Sequence, residues 1–218
     1  LEIRRSDINR LLNTIVDENG ARQADYVLAI VRKIMNWYAS QGIDDEYVSP
    51  VVRGMRRTAP EGRARDRMLS DDEIRLLWPI LDASGTFGAL LQVALLTAQR
   101  REKVAGMKWA DVSVDGVWTI PGEAREKGSG GTLALPEMAT KIIRAQTRIE
   151  GNPYVFPGRG EGHFEGFSPS KRRLDDKVAE AVKEAKGVPL PEWRIHDLRR
   201  TARSLMARAG VDSDTAER

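Results

Sequence analysis

The sequence contains no cysteine, only two histidines and few aromatic residues, which make up 6% of it. The absence of cysteine excludes disulfides, thiolate metal sites and a cysteine nucleophile, and it is compatible with a reducing cytosol. The apolar run at residues 89–96 is much shorter than the roughly 20 residues that cross a membrane, so it fits a core helix. The chain starts at Leu1 without a recognisable secretory leader. We therefore expect a soluble globular protein with no membrane partner.

Positive charge is concentrated in two segments, although the net charge is only +3. Of the 35 basic residues, 26 are arginines, whose planar guanidinium binds phosphate through a fork of donors. Residues 53–67 contain six arginines, and residues 194–208 contain five. Such clusters are typical of proteins that bind a polyanion, but they also occur on solvated surfaces. Charge alone leaves both interpretations open.

The first 58 residues carry the pattern of a small all-helical domain. Apolar residues recur at helical spacing over Ser6–Glu18 and again over Ala21–Ser40. Asn19-Gly20 separates the two predicted helices, and Pro50 prevents a long third one.

A second domain is predicted over residues 70–218, after a basic linker at residues 59–69 that lacks apolar periodicity. It starts at Ser70-Asp71-Asp72-Glu73, a capping-box sequence. Its predicted helices cover residues 71–81, 85–97, 101–105, 136–150, 169–186 and 195–209. The chain stops barely one turn into a further helix, so we expect this domain to be C-terminally incomplete.

Short β-strands are predicted in the middle of the second domain. Residues 112–114 and 117–120 flank Asp115-Gly116, a strong signal for a two-residue hairpin turn. Residues 132–135 can add a third strand, and Lys127 lies in the glycine-rich loop before it. The predicted fold class is therefore mainly α with a small antiparallel β-sheet.

Three groups of residues could carry chemistry. Arg100 and Arg101 directly follow a fully apolar helix, so we expect Arg100 near the core, where an anionic ligand would offset the cost of its charge. His196 and Arg199 share a helix face in a first turn, whose unpaired N–H groups favour an anion. Lys127 is the third candidate. Each group alone also fits ordinary surface charges.

The order of these groups resembles the catalytic domain of tyrosine recombinases, the phage integrase family. Thr97-Ala98-Gln99-Arg100 resembles the family's first box, Thr-Gly-x-Arg, and Trp109-Ala110-Asp111 matches the Trp-x-Asp that closes it. Lys127 lies on the family's β-hairpin, before the Leu135-Pro136 that opens the next helix. His196-x-x-Arg199 matches the second box. Each motif is short, but the ordered set is specific.

The resemblance covers nearly the whole chain and implies its organisation and partners. Residues 1–58, including Asn36-Trp37-Tyr38-Ala39, resemble the family's helical core-binding (SAM-like) domain, and residues 70–218 resemble the catalytic domain. Family members recombine double-stranded DNA at a core site as homo-tetramers, without metal or cofactor. The resemblance therefore implies integration or excision of a prophage or other mobile element in a prokaryotic cytoplasm.

The same resemblance assigns the site residues. The catalytic residues would be Arg100, Lys127, His196 and Arg199. Arginines of the two basic segments, together with Arg101, are expected to bind DNA: Arg53, Arg56, Arg57, Arg63, Arg65, Arg67, Arg101 and Arg200. Two residues depart from the family pattern, since Ala98 replaces the usual glycine and Lys103 stands where many members have glutamate.

The reaction implied by the resemblance is phosphodiester transfer to a tyrosine. The two arginines would stabilise the charge on the non-bridging oxygens, Lys127 would protonate the leaving 5′-oxygen, and His196 would transfer a proton or support the phosphate. The family's nucleophilic tyrosine follows the second box, whereas all four tyrosines of this chain precede it: Tyr26, Tyr38, Tyr47 and Tyr154. We therefore expect the chain to bind DNA without cleaving it.

Three other functions remain open from the sequence. A non-catalytic DNA-binding regulator or decayed integrase is the main alternative, and a type IB topoisomerase would share the chemistry. A metal-dependent nuclease fits poorly because no carboxylate cluster has ligand spacing. His163 lies in a glycine-rich stretch and is interpreted as a loop residue instead of a metal ligand.

Overall fold

A computed structural model of the chain describes residues 3–59, 66–122 and 130–212. The chain divides into two compact units, Leu1–Arg65 and Asp66–Arg218, each with its own hydrophobic core. The predicted linker ran from residue 59 to residue 69, whereas residues 66–69 belong to the second unit. The physical reason is that Leu69 is buried there, and its backbone N–H is bonded to the Thr201 hydroxyl.

The first unit is built on two helices, α1 (Arg5–Asn19) and α2 (Ala21–Ser40). Gly20 joins them with a φ of 86°, a left-handed conformation that glycine adopts without steric cost. Ile8 and Leu12 of α1 pack against Ala24 and Leu28 of α2. Met55, from the segment after α2, completes this small core.

Among its described residues, the second unit contains a short 3-10 helix at Trp109–Asp111 and six α-helices: α3 (Asp71–Asp82), α4 (Gly85–Thr97), α5 (Arg101–Ala105), α6 (Glu137–Arg144), α7 (Phe167–Glu184) and α8 (Ile195–Arg208). Helix α4 is apolar on all sides, which is typical of a fully buried helix, and it contacts α3, α5, α6 and α8. Gly88 allows α4 to approach α3 closely, because a Cβ there would lie 1.9 Å from the Leu81 carbonyl oxygen. Ser70 and Glu73 form the predicted capping box of α3.

The sheet described in this unit is smaller than predicted. Strands β1 (Val117–Ile120) and β2 (Gly131–Ala134) pair antiparallel, with Trp118 opposite Leu133. The predicted strand at residues 112–114 is reduced to one bridge between Val112 and Trp118. A tight turn takes the other backbone groups, since the Gly116 N–H donates to the Ser113 carbonyl.

Helix α6 also ends earlier than predicted, at Arg144 instead of residue 150. The Gln146 side chain donates to the Ile142 carbonyl and satisfies it in place of a further helical turn. Within the described ranges, no helix is long and apolar enough to cross a membrane.

Candidate functional site

A cleft of about 790 Å³ lies within the second unit, between α5, the first half of α7 and the start of α8. Three of the four predicted catalytic residues line it: Arg100, His196 and Arg199. Arg101, a predicted DNA-binding residue, lines it as well. Because these residues are almost 100 positions apart in sequence, only the packing of α8 against α4 brings them together.

Arg100 enters the cleft from the end of the buried helix α4. It is the N-cap residue of α5, and its side chain is exposed. The expectation that Arg100 would be held near the core is therefore wrong. The apolar helix stops at Thr97, and the chain reaches the surface within three residues because Ala98 turns it in a left-handed conformation.

Ala98 connects the two candidate arginines. Its φ of 53° lies in the left-handed region, which a residue with a Cβ adopts only at a steric cost. Its carbonyl oxygen accepts a hydrogen bond from Nη1 of Arg199. The turn that delivers Arg100 to the cleft thus also holds the guanidinium of Arg199, which is half-buried.

His196 stands in the first turn of α8, at the edge of the cleft. The partial removal of its ring from water lowers its pKa below 6.5, and the positive charges of Arg200, Arg199 and Arg100 lower it further. The carboxylate of Asp197 opposes them and raises the pKa. The imidazole is therefore largely neutral at pH 7.

The charges along the cleft are predominantly positive. Of the residues that the structure describes, six lysines and arginines and three carboxylates line it, in addition to His196. The carboxylates each lie beside a cation: Glu102 is 2.9 Å from Arg101, Asp175 is 2.6 Å from Lys171, and Glu192 is 3.6 Å from Arg194. The excess of cations favours an anionic ligand.

Two aromatic rings form part of the cleft wall, and each has a cation above it. The guanidinium of Arg101 lies 4.7 Å from the ring centre of Phe167. The ammonium of Lys171 lies 3.9 Å from that of Trp193. Both rings are buried, so these cation–π contacts fix the two positive side chains along the wall.

Sequence reasoning missed three cations of the cleft, Lys171, Arg172 and Arg194. Arg194 was visible as the first member of the second arginine cluster. Lys171 and Arg172 begin a basic run at residues 171–173 on α7, and Arg173 points elsewhere, towards Ser170. Which of these three neighbouring residues faces the cleft depends on the orientation of α7. The local sequence therefore does not show that Lys171 and Arg172 line the cleft and that Arg173 does not.

The remaining predicted DNA-binding residues occupy different environments. Arg53 and Arg56 are exposed in the first unit. Three others are engaged with their own unit: Arg57 bonds Asn9 and Asn13, Arg67 pairs with Glu73, and Arg200 pairs with Asp197. Lys127, Arg63 and Arg65 lie outside the described residues.

Lys103, the residue that departs from the family pattern, lies one helical turn after Arg100. Its ammonium donates to the carbonyl oxygen of Pro121 at 3.1 Å, just beyond the end of β1. A glutamate at this position could not make that bond, because a carboxylate offers no donor. The substitution therefore changes the local contact between α5 and β1.

The second histidine, His163, does not line the cleft but lies in an adjoining pocket that it shares with Arg101, Glu102 and Phe167. Its Nδ1 is 3.1 Å from the Phe164 carbonyl, and its ring packs edge-on against Tyr154. Among the described residues, no group of three or more His, Asp or Glu side chains could hold a metal ion.

Comparison with known proteins places this geometry in context. Residues 67–218 match the model of the phage integrase family. An integrase from Streptomyces ambofaciens is 27% identical over 160 residues, which cover 62% of this chain and 41% of that integrase. The chain thus spans about two fifths of the length of this curated relative.

Solved structures show the same fold. The integrase of the Tn1549 transposon, in complex with circular intermediate DNA, is similar over 99% of this chain and 76% of its own, with a TM-score of 0.72 and 12% identity. A lambda integrase tetramer bound to a Holliday junction is similar over 99% of this chain and 63% of its own, with a TM-score of 0.65 and 18% identity. Since the family model matches well over half of the residues, the chain belongs to the phage integrase family.

Proposed function

We propose that this chain binds double-stranded DNA and supplies the phosphate-activating side chains of a site-specific, metal-independent strand-exchange reaction. The observation that supports this proposal most is the convergence of Arg100, His196 and Arg199 on one cleft with an excess of cations. Family membership and the fold agree with it. The substrate would be the core recombination site of a prophage or other mobile element.

Charge stabilisation is the main demand of phosphodiester transfer. The pentavalent transition state places additional negative charge on the two non-bridging oxygens. Arg100 and Arg199 reach the cleft from different helices, so their guanidinium groups can hold that phosphate from two sides. The bond between Arg199 and the Ala98 carbonyl orients one of these groups before DNA binds.

His196 would support the phosphate or transfer a proton. Because its pKa is lowered, it is neutral near pH 7 and can accept a proton or donate one hydrogen bond. Protonation would occur only below its ordinary pKa. Lys127 would protonate the leaving 5′-oxygen, as the family resemblance implies.

The nucleophile is proposed to be a tyrosine beyond the residues of this cleft. None of the described residues that line the cleft is a tyrosine. In the proposed step, the tyrosine hydroxyl gives its proton to a base such as the neutral His196, and its oxygen bonds to phosphorus. The bond from phosphorus to the 5′-oxygen breaks, and that oxygen takes a proton from Lys127. The resulting phosphotyrosyl ester retains the bond energy, so a 5′-hydroxyl of the partner strand can reverse the step. The 218-residue chain itself should bind DNA without forming this ester.

The first unit is proposed to be the core-binding domain, residues 1–58. Arg53 and Arg56 are exposed and available to backbone phosphates. The lambda integrase structure contains a tetramer on a Holliday junction, and we propose that the intact enzyme also acts as a homo-tetramer.

Salt dependence of DNA binding tests the first part of the proposal. The affinity of the chain for a duplex oligonucleotide, measured by fluorescence anisotropy, should fall steeply between 50 and 200 mM salt as counterions are released, by roughly 10³-fold or more for six phosphate contacts. Arg199→Gln should reduce the affinity. Arg75→Gln, which removes an exposed arginine of α3, is the matched control and should leave it unchanged. A flat salt dependence would contradict the proposal.

A DNA-binding regulator is the alternative, favoured by the absence of tyrosine from the described cleft lining. Assays on a longer polypeptide that includes a tyrosine after residue 218 would decide between a recombinase and a regulator. Covalent attachment to a nicked core-site duplex, followed by strand exchange, supports the recombinase. DNA binding without attachment supports the regulator, and relaxation of supercoils without exchange supports a topoisomerase.

A further inference from the structure

We propose that Asp197 and Arg200 form a positioning pair, which holds the first turn of α8 so that His196 and Arg199 face the same cleft. The inference rests on the proposed function, because it explains how the candidate phosphate site is built. It also gives Arg200 a different task from the DNA contact that its sequence context predicted.

Asp197 is a carboxylate with no exposed surface, whereas His196 and Arg199 of the same family box line the cleft. A buried charge is costly unless it is paired and hydrogen-bonded. Both oxygens are engaged: Oδ2 accepts the backbone N–H of Arg194 at 2.8 Å, and Oδ1 is 2.8 Å from Nη1 of Arg200. The side chain therefore caps the helix and neutralises the adjacent arginine at once.

Thr201 fastens this turn to a distant part of the unit. Its hydroxyl donates to the Asp197 carbonyl at 2.8 Å and accepts the backbone N–H of Leu69 at 2.9 Å. Thr201 is only 2% exposed, and Leu69 belongs to the buried core. The first turn of α8 is thus held from its interior side by charge, by hydrogen bonds and by packing.

The buried pair determines where the two candidate catalytic side chains point. Successive residues of an α-helix are rotated by about 100°, and residues three apart share a face. With Asp197 and Leu198 both completely buried, His196 and Arg199 are turned together towards the cleft. A rotation of this turn would displace both side chains from the phosphate.

The pair also sets the charge beside His196. Arg200 lowers the pKa of the imidazole, and Asp197 raises it. The other charged groups of the same cleft come from three further elements: Arg100, Arg101 and Glu102 at α5, Lys171, Arg172 and Asp175 on α7, and Glu192 and Arg194 before α8. A test of the pair must therefore leave these groups in place.

The chain offers a direct spectroscopic readout because it has only two histidines. The imidazole signals can be followed by NMR against pH, with His163→Gln to assign them. Asp197→Asn keeps an acceptor for the Arg194 N–H but removes the charge, so the pKa of His196 should fall. Arg200→Gln should raise that pKa. Opposite shifts support the pair, whereas unchanged values or shifts in one direction overturn it.

Asp72 and Arg75 provide a matched control, since they form an exposed ion pair with the same spacing of three residues on α3. Asp72→Asn should leave the pKa of His196 unchanged. Thr201→Val removes the two hydrogen bonds of the hydroxyl without changing any charge. It tests the positioning role even if Asp197→Asn does not fold. It should weaken anion binding at the cleft, and Thr201→Ser should restore it.

Inorganic phosphate is the anion probe for this comparison. Its addition should shift the His196 signal of the wild-type chain, and Asp197→Asn or Thr201→Val should raise the apparent Kd on the order of tenfold, the effect of misaligning one charge-assisted hydrogen bond. Unchanged Kd values in both folded variants would overturn the positioning role. If phosphate does not shift the wild-type signal, the proposed phosphate site fails, while the two opposite pKa shifts still test the pair.

Discussion

Two arginines, Arg57 of the first unit and Arg199 of the second, have opposite environments. In the first unit, the guanidinium of Arg57 is directed inward and bonds Asn9 and Asn13 of α1 and the Met55 carbonyl. In the second unit, Arg199 donates a hydrogen bond to the Ala98 carbonyl and lines an open cleft. Both residues lie in arginine-rich segments that look alike in sequence. A cluster of arginines therefore does not identify which of them can bind phosphate.

The size of the cores explains this difference. Among the described residues of the first unit, five buried apolar residues form the core, so polar contacts must hold the segment that follows α2. The second unit has a much larger apolar core around α4. It is therefore stable without using every arginine in internal contacts, and several of its cations line the cleft, where they can bind a ligand. We therefore expect variants of Arg57 to affect the stability of the first unit and variants of Arg199 to affect anion chemistry at the cleft.

Arg199→Ala should give the largest effect. In a longer gene product that carries the nucleophilic tyrosine, the rate of covalent adduct formation on a nicked duplex should fall by about 10²-fold or more, the effect of removing one donor to a developing oxyanion. Gel analysis of the adduct measures this loss. Arg57→Ala, assayed at a temperature where it is folded, should retain the rate. Equal losses in the two variants would abolish the distinction between the units.

Arg57→Ala should give the second largest effect. Loss of its bonds to α1 should lower the stability of the first unit by about 1–2 kcal/mol. Hydrogen exchange of the amides of α1 and α2 reports this unit separately from the second. Arg53→Ala, an exposed arginine four residues earlier, is the control and should change exchange little. Similar exchange in both variants would show that the hydrogen bonds of Arg57 to α1 do not stabilise the first unit.

Acid should weaken the attachment of the segment at Arg57 and Thr58 to α2, which depends on the carboxylate of Asp25. Partial burial raises the pKa of Asp25, but hydrogen bonds from the backbone N–H groups of Arg57 and Thr58 outweigh it and hold the pKa below 3.8. The stabilisation is therefore present above pH 3.8 and is lost as the pH falls through the lowered value. Exchange in the first unit should accelerate in this range. Asp25→Asn should remove that acceleration, and a persistent pH dependence would assign it to other carboxylates.

Ala98→Gly should give the smallest effect, in the opposite direction. Glycine adopts a φ of 53° without a Cβ clash, so the substitution should stabilise the second unit by about 1 kcal/mol or less. Thermal unfolding measures the gain. A decrease in stability would show that the Ala98 side chain, which is buried, contributes more by packing than its conformation costs.

Local patterns predicted most of the helices closely, including α2, α4 and α5 residue by residue. They failed where a long-range contact decides the outcome. Residues 112–114 have strand-forming composition, but the turn at Ser113 and Gly116 takes their hydrogen bonds. Leu69 belongs to the second unit because it is buried there, which no pattern within residues 59–69 reveals.

The sequence by itself determined the family, the fold class and the candidates Arg100, His196 and Arg199, because helix periodicity and short ordered motifs are local properties of the chain. Only the tertiary structure decided which cations share a cleft with them. Lys171, Arg172 and Arg194 line it, while Arg57, Arg67 and Arg200 are engaged internally. The physical reason is that the direction of a side chain depends on what the opposite face of its helix buries, and that face packs against residues far away in the sequence.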